Sequence, residues 1–513
     1  MADSTFRATP IEDFDKIIST ARSTFLSGRT KSLVWRKQQL RALYKLIDEN
    51  SRAIVAALQR DLNKPTTEAT VILDLNHIVF CLENLDKWAK PDYPEKGITE
   101  IGAGLSVVHE PYGVCLIIAP WNYPFDLVFK PLTSALAAGN VAVLKPSEIT
   151  PNAATLIAEL VPKYLDREAI FVVNGGVKET TALLEKKFDH CTYTGSTAVG
   201  KIIMAAAAKH LTPVVLELGG KSPVVLDPKL TPAELTRAAK RLVNTKFFNA
   251  GQTCIAPDYV LCPPALLQPL SAAVRDIVST YFGSDPSTSP DLARIVNKNH
   301  TRRIGQLIDQ QRAQPGAIVI TGGKWDESRC YIEPTIIAGV KKDGPLMSQE
   351  IFGPALPILE CADVDAAIKF IREGERPLAL YVFTSDSRVA EKVHNACVSG
   401  SVVINDATYQ YAIDSAPFGG IGHSGMGSLH GKYGFLAYTH SKTVLEKPLT
   451  WFSEKMDELT GRFPPYNPKN LESLESLAKK KLPSENSALV QGAKIVAGLA
   501  VIAGAVSYYM RPK

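Results

Sequence analysis

From Gly113 onward, short apolar, β-branched runs alternate with segments of helical spacing, and no other feature restricts the fold as strongly. The runs fall at 114–119, 141–144, 170–173, 214–218 and 223–226, with helix-like segments such as 131–138, 153–164 and 199–210 between several of them. Strand, helix, strand in succession requires crossover connections, so the sheet is expected to be largely parallel and covered by helices. A second region of the same texture starts near Leu230. Its expected helices are 232–243, 264–281, 301–311 and 364–373, and its expected strands 259–262, 317–321 and 378–383. The region before Lys90 reads as helices, because Leu40, Leu43, Ile47, Ile54 and Leu58 recur at helical spacing among charged residues. Residues 98–109 alternate loosely and suggest an extended arm or hairpin. A Gly-rich stretch, 418–434, is expected to run into a strand at 435–445. The expectation is two α/β domains plus an appendage.

A chain of 513 residues is long enough for two or three domains with buried cores. Its net charge of +5 is mild for that length, and no Lys/Arg-rich stripe with interleaved aromatics is present, so nucleic acid is not expected as a partner. The eight cysteines (Cys81, Cys115, Cys191, Cys254, Cys262, Cys330, Cys361, Cys397) lack paired spacing. With no CxxC and no His-rich cluster, no metal site is expected. Low cysteine density and an N-terminus without a signal-peptide pattern lead to the expectation of a cytosol-facing body.

Several constellations carry chemistry. Cys254 ends the polar stretch Asn249-Ala250-Gly251-Gln252-Thr253-Cys254, a setting for an accessible nucleophile, although most cysteines are small buried hydrophobes. Tyr193-Thr194-Gly195-Ser196-Thr197-Ala198-Val199-Gly200-Lys201 follows a strand and opens a helix, where backbone N–H groups and the helix dipole favour a phosphate. It meets the G-x-x-x-x-G-K spacing, but Ile202 stands where a P-loop needs Ser or Thr. Lys145-Pro146-Ser147-Glu148 lies past a strand end, where an open α/β sheet binds ligands; a Lys and a Glu there suit ribose hydroxyls, or form only a solvated turn. Glu217, in Leu216-Glu217-Leu218-Gly219-Gly220-Lys221, and Glu350, in Glu350-Ile351-Phe352-Gly353-Pro354, are carboxylates in apolar settings. Burial would raise their pKa toward general-base values, and pairing of Glu217 with Lys221 is the alternative. In Pro120-Trp121-Asn122-Tyr123-Pro124-Phe125 the Asn amide can donate to an oxyanion, and Trp121, Tyr123 and Phe125 supply an aromatic wall or ordinary packing.

Together these segments, five motifs in order between about residue 10 and residue 450, resemble the aldehyde dehydrogenase superfamily. Residues 417–427 and the short N-terminus resemble its class 3 branch, which includes fatty aldehyde dehydrogenases. The resemblance implies a Rossmann-type NAD-binding domain with N-terminal helices (1–95 and 111–222), an α/β catalytic domain (223–424) and a small β oligomerisation arm (96–110 and 425–450). It implies Cys254 as the nucleophile, Asn122 as the oxyanion donor, and Glu217 and Glu350 as candidate bases. Lys145 and Glu148 would contact the adenosine ribose. Thr194, Gly195, Ser196 and Gly200 would surround the pyrophosphate, with Trp121, Glu350 and Phe352 also on the cofactor and Tyr123 and Phe125 lining the substrate. The implied cofactor is NAD, with NADP the weaker alternative, and the implied assembly a homodimer. The implied reaction is oxidation of a long-chain aldehyde through a Cys254 thiohemiacetal and thioester, the alternatives being oxidation of short-chain or aromatic aldehydes, or a membrane-bound nucleotide-binding role without catalysis. Tyr193 stands where many members carry Phe, and the chain is slightly lengthened around 228–232.

Beyond the globular part, residues 495–510 are uncharged and mostly apolar, between Lys494 and Arg511. Sixteen residues rise about 24 Å, short of the ~30 Å hydrocarbon core. Extension back to Ser487 supplies the length if Lys494 snorkels, and Tyr508 and Tyr509 suit the interface. The expectation is a membrane anchor over 487–513 with the catalytic body in the cytosol. By resemblance the membrane is the endoplasmic reticulum, with the mitochondrial outer membrane or peroxisome as alternatives. A linker and amphipathic helix (451–486), with Leu471, Leu474, Leu477 and Ala478 on one face, are expected to gate the substrate entrance.

Overall fold

The run Val114–Ile118 is buried at every residue, which a strand achieves only when both faces of its sheet are covered. The computed structural model describes residues 6–71, 75–97, 102–459, 462–466 and 475. In chain order the strands are β1 (Gly104–Pro111), β2 (Val114–Ile118), β3 (Val141–Lys145), β4 (Ile170–Val172), β5 (His190–Thr194) and β6 (Val214–Glu217). There follow β7 (Pro223–Leu226), β8 (Tyr259–Cys262), β9 (Ile318–Thr321), β10 (Trp325–Asp326), β11 (Tyr331–Ile332) and β12 (Thr335–Ala338). The last are β13 (Ala355–Glu360), β14 (Ala379–Phe383), β15 (Ser401–Ile404), β16 (Gly425–Met426) and β17 (Thr439–Glu446).

The first sheet has the order β16-β6-β5-β2-β3-β4. All neighbours are parallel except β16, which pairs antiparallel with β6. The chain winds outward from β2 through β3 to β4, then crosses to the other side of β2 for β5 and β6. That reversal between β2 and β5 opens a crevice beyond the carboxyl ends of the strands. Register aligns those ends: Ile118 faces Lys145 on one side and Tyr193 on the other, and Thr194 faces Glu217. The helix Asp126–Ala138 is buried along its whole length, because the sheet lies on one side and the N-terminal helices Leu33–Glu49 and Leu75–Trp88 on the other. It ends at Gly139, whose φ of +91° a residue with a side chain rarely adopts.

The second sheet has the order β15-β14-β7-β8-β13-β12-β9, parallel except for the antiparallel edge strand β9. Its strands feed two apolar clusters alternately. Val224, Leu226, Val260, Cys262, Tyr381 and Phe383 enter one; Val225, Leu261, Leu380 and Val382 enter the other. Successive side chains on a strand point to opposite faces, so these unbroken apolar runs are what a sheet with two covered faces requires. The helix Pro232–Phe247 packs here. Thr231 starts it with a reciprocal cap, its Oγ1 accepting from the Glu234 N–H while Glu234 accepts from the Thr231 N–H at 2.8 Å. The lengthened region before it is an exposed turn tied down by the buried Leu230.

Both sheets lie in one compact unit, Met1–Ala89 with Glu110–His440. A second unit comprises Lys90–His109 and Ser441–Lys513. β1 and β17 form a two-stranded sheet. The expected strand at 435–445 is corrected. Gly431–Ala437 is a helix, and the strand starts only at Thr439. Gly434 lies so close to Ser134 that a Cβ would meet its Oγ at 2.3 Å, and Gly434, Phe435 and Tyr438 turn one buried face inward. β16, expected in the arm, instead extends the first sheet at β6. The expected anchor at 487–513 and, apart from Glu475, the expected gating helix around 470–482 lie outside the described residues. Among the described residues no helix is long and apolar enough to cross a membrane.

Candidate active site

The helix Pro232–Phe247 stops at a tight turn, Phe248–Gly251, in which Asn249 (φ +52°), Ala250 (φ +51°) and Gly251 (φ +72°) are all left-handed. For a residue with a Cβ that conformation costs roughly 1–2 kcal/mol, so the turn persists only where contacts over-determine it. Gly251 has no space for a side chain, since a Cβ would sit 2.3 Å from the Gly353 carbonyl. Asn249 Nδ2 donates to the Gln252 carbonyl (3.0 Å) and the Asn122 carbonyl (3.2 Å). Gln252 Nε2 donates to the Asn249 carbonyl (2.9 Å) and the Arg294 carbonyl (3.0 Å), and its Oε1 accepts from the Val296 N–H (2.9 Å). The Asn249 N–H donates to Glu68 Oε2 at 2.9 Å. Three residues on, Cys254 is half-buried.

Asn122, past the carboxyl end of β2, is buried and its Nδ2 donates to the Gln252 carbonyl at 3.0 Å. A side-chain amide has two N–H donors, so one fixes its orientation and the other stays available beside the Cys254 loop. Its neighbour Tyr123 reaches the same loop, its hydroxyl 2.6 Å from Thr253 Oγ1. Phe125 is buried against Phe129 in the core of the first sheet, with ring centroids 6.2 Å apart.

The carboxylates occupy unlike settings. Glu217, the last residue of β6, is buried, and neither carboxylate oxygen has a hydrogen-bond partner among the described residues. Burial holds its pKa well above the usual carboxylate range. It does not pair with Lys221, whose Nζ goes instead to Asp258 (2.5 Å) and the carbonyls of Leu346 (2.8 Å) and Gln349 (3.0 Å). Those bonds fix the segment that carries Glu350. The Glu350 carboxylate lies against Gly219, where any Cβ would clash, and accepts from the Gly220 N–H. Burial, then Asp258, pushes Glu350 up to about 8. The Cys254 thiol is pushed up to about 12, chiefly by burial and then by Glu350 and Glu217, so it needs a proton acceptor to become a nucleophile.

The crevice at the switch point fits a dinucleotide. Thr194 Oγ1, at the end of β5, is buried with no partner among the described residues. Ser196 caps the helix Thr197–Ala208, and Gly200 admits no side chain, because a Cβ would lie 2.7 Å from Leu218 Cδ2. The helix start is therefore seated tightly on the end of β6, with its N–H groups facing the crevice. The Tyr193 hydroxyl sits where a side chain on Gly195 would project, 2.2 Å from that Cβ position, and accepts from Ser196. Lys145, buried at the end of β3, donates to Glu148 at 3.0 Å, so the pair is an ion pair rather than a solvated turn. Trp121 and Phe352 meet edge to face, 5.3 Å between centroids, and Trp121 also touches His300 at 5.1 Å.

The structure therefore brings Asn122, Tyr123, Glu217, Glu350 and Cys254 to one end of the two sheets. It places Lys145, Glu148, Thr194, Gly195, Ser196 and Gly200 along the adjoining crevice. Sequence reasoning missed Lys64, Glu68 and His300, which stand in ordinary-looking polar segments with no local signal. It quoted Asn249 and Gln252 without seeing that they brace the turn.

A family model described as "Aldehyde dehydrogenase family" matches residues 4–444. The chain is 43% identical over 468 residues to aldehyde dehydrogenase family 3 member A2 of Rattus norvegicus, covering 91% of this chain and 93% of that protein. It is 42% identical over 460 residues to the "dimeric NADP-preferring" aldehyde dehydrogenase of Mus musculus, covering 89% and 98%. A solved structure described as the substrate-bound state of Staphylococcus aureus AldH superposes with a TM-score of 0.85 at 38% identity, covering 91% of this chain and 99% of that one.

Proposed function

The chain belongs to the aldehyde dehydrogenase family, and from that premise we propose that it oxidises long-chain aliphatic aldehydes to carboxylic acids with NAD, NADP being the weaker cofactor. One observation carries the reading. A thiol, an anchored amide and a buried carboxylate with no hydrogen-bond partner among the described residues converge beside the crevice.

A base removes the Cys254 proton, and the thiolate adds to the aldehyde carbonyl carbon. The free Asn122 N–H and the Cys254 backbone N–H hold the oxyanion that forms. NAD held in the crevice would supply the hydride acceptor, and loss of hydride from that carbon leaves a thioester on Cys254. A water molecule then attacks the thioester, a glutamate takes its proton, and the carboxylate departs with the thiolate restored. Glu217 is the base of this step. Its oxygens have no hydrogen-bond partner among the described residues, whereas Glu350 already accepts from the Gly220 N–H. Lys145 and Glu148 would hold the adenosine ribose, and Thr194, Gly195, Ser196 and Gly200 the pyrophosphate. Trp121, Glu350 and Phe352 would hold the nicotinamide end, and Tyr123 would line the aldehyde path.

The long-chain preference, the homodimer and membrane attachment through 487–513 belong to the same proposal. Their support is the apolar stretch 495–510 and the likeness to class 3 relatives, one of which is named as dimeric. The membrane is the endoplasmic reticulum, with the mitochondrial outer membrane and peroxisome as alternatives to be separated by imaging. The test is NADH formation by protein ending before Ser487, with hexadecanal, a short aliphatic aldehyde and benzaldehyde, with and without Cys254→Ala. Turnover highest on hexadecanal and lost in the variant is expected. Preference for benzaldehyde would overturn the substrate class, and no turnover on any aldehyde would overturn the activity.

A further inference from the structure

We infer that Glu68 is a positioning residue for the nucleophile: its carboxylate accepts the Asn249 N–H and thereby holds the left-handed turn that presents Cys254, while Lys64 braces the far end of the same loop through Tyr123. The inference rests on the aldehyde dehydrogenase reading for its kinetic consequence but not for its geometry.

Glu68 lies on the short helix Thr66–Val71, 181 residues from Asn249 in sequence, and is only 8% exposed. Nothing in its own segment requires a buried carboxylate. A charge taken out of water in this way persists only where it answers a buried donor. The donor is the N–H of Asn249, which stands at the left-handed start of the turn and so points away from the helix it follows. Losing the acceptor would leave that N–H buried and unpaired at a point where the backbone is already strained.

Lys64 occupies the other end of the bracket. It is 2% exposed, and its Nζ lies 4.2 Å from the centroid of the Tyr123 ring, a cation–π contact in a desolvated place. The Tyr123 hydroxyl holds Thr253 Oγ1, one residue before the nucleophile. Burial raises the Glu68 pKa and lowers that of Lys64, and each charge opposes the shift of the other, so the two depend on one another. One hairpin of the N-terminal helices thus grips both the first left-handed residue of the turn, Asn249, and the residue preceding Cys254. The Arg294 N–H, donating to the Leu62 carbonyl at 2.9 Å, ties in the strand of chain that also receives Gln252.

The experiment compares Glu68→Leu, which removes the acceptor at similar bulk, with Glu68→Gln, which keeps an acceptor oxygen without charge. The readouts are kcat, KM, NAD affinity and the rate at which iodoacetamide alkylates Cys254. Glu68→Leu is expected to lower kcat and the alkylation rate by about ten-fold or more, as loss of a hydrogen bond to a charged group would. NAD affinity should stay within about two-fold on the same reasoning, because the dinucleotide crevice is untouched. Glu68→Gln should recover most of both rates. Unchanged kcat and alkylation in Glu68→Leu, or equal damage in Glu68→Gln, would overturn the inference. If Glu68→Leu does not fold, Glu68→Asp shortens the reach by one methylene, and undiminished alkylation in that variant would overturn it as well. Alkylation needs no aldehyde, so failure of the enzymatic reading would show as absent turnover in every variant while the alkylation comparison still decides.

Discussion

Glu217 ends β6 with two buried oxygens that have no hydrogen-bond partner among the described residues, and Glu350 is held by one N–H; the proposed division of their roles rests on this difference. Replacing Glu217 by Gln should leave thiol addition and the first hydride release intact while slowing thioester hydrolysis by about 10²-fold or more, the usual worth of a placed general base. Rapid-mixing kinetics should then show a burst of NADH near one equivalent per site followed by a stall. A normal steady rate would move the base to Glu350. The raised carboxyl of Glu350 also sets a stability dependence. Its folded pKa of about 8 lies above the ordinary 4.5, so over that window the folded chain holds a proton that the unfolded chain has released. Stability conferred below the lower value is therefore lost as pH rises through the upper one. Glu350→Gln should flatten this fall, and the drop in Tm between pH 5 and pH 9 should be smaller than in the parent. An equal drop in both proteins would show that Glu350 does not carry it. From the sequence, Glu217 and Glu350 were visible as acids in apolar company, but which of them lacked a partner was not. The answer lay in Lys221, whose charge is taken by Asp258, 37 residues away.

At the scale of elements, strand ends and helix starts do most of the placing. The turn 195–200 works because helix and sheet approach closely at one glycine. Gly200→Val would drive its side chain into Leu218, which lies 2.7 Å from the Cβ position. It should weaken NAD binding by about ten-fold or more, since the helix start must shift from the phosphate it caps, while the alkylation rate of Cys254 stays near that of the parent. Calorimetric titration with NAD checks it, and unchanged affinity would count against the crevice. The helix–strand alternation was legible because a two-face-covered sheet demands continuous apolar runs, as in β2, β8 and β14. The start of the expected strand 435–445 was misread because its alternation is shallow, while the part from Thr439 is a strand. Gly434 and Phe435 owe their burial to Ser134 and the helices beneath, and nothing in the segment itself announces that contact.

Over the whole molecule, the proposed site residues fall within one compact unit built from Met1–Ala89 and Glu110–His440, and the apolar stretch 495–510 lies outside that part of the sequence. Removal of residues from 487 onward should therefore abolish sedimentation with phosphatidylcholine vesicles and leave kcat on a water-soluble aldehyde close to that of the full chain. Full-length protein that fails to sediment would end the anchoring proposal. A truncated protein with collapsed kcat would mean that the tail supports the site.

The order of motifs, the parallel α/β character and the choice of Cys254 as the proposed nucleophile were legible in the sequence alone. Each rests on a local rule: burial of strand faces, the small set of residues able to start a helix at a phosphate, the reactivity of a thiol in a polar turn. The tertiary structure alone decided how the turn 249–251 stays left-handed, why Lys221 does not pair with Glu217, and that Lys64 and Glu68 reach the Cys254 loop from the N-terminal helices. Those facts depend on groups 37 to 181 residues apart in sequence. A buried charge is stabilised by whatever the fold brings within hydrogen-bond reach, and spacing along the chain carries no record of that distance.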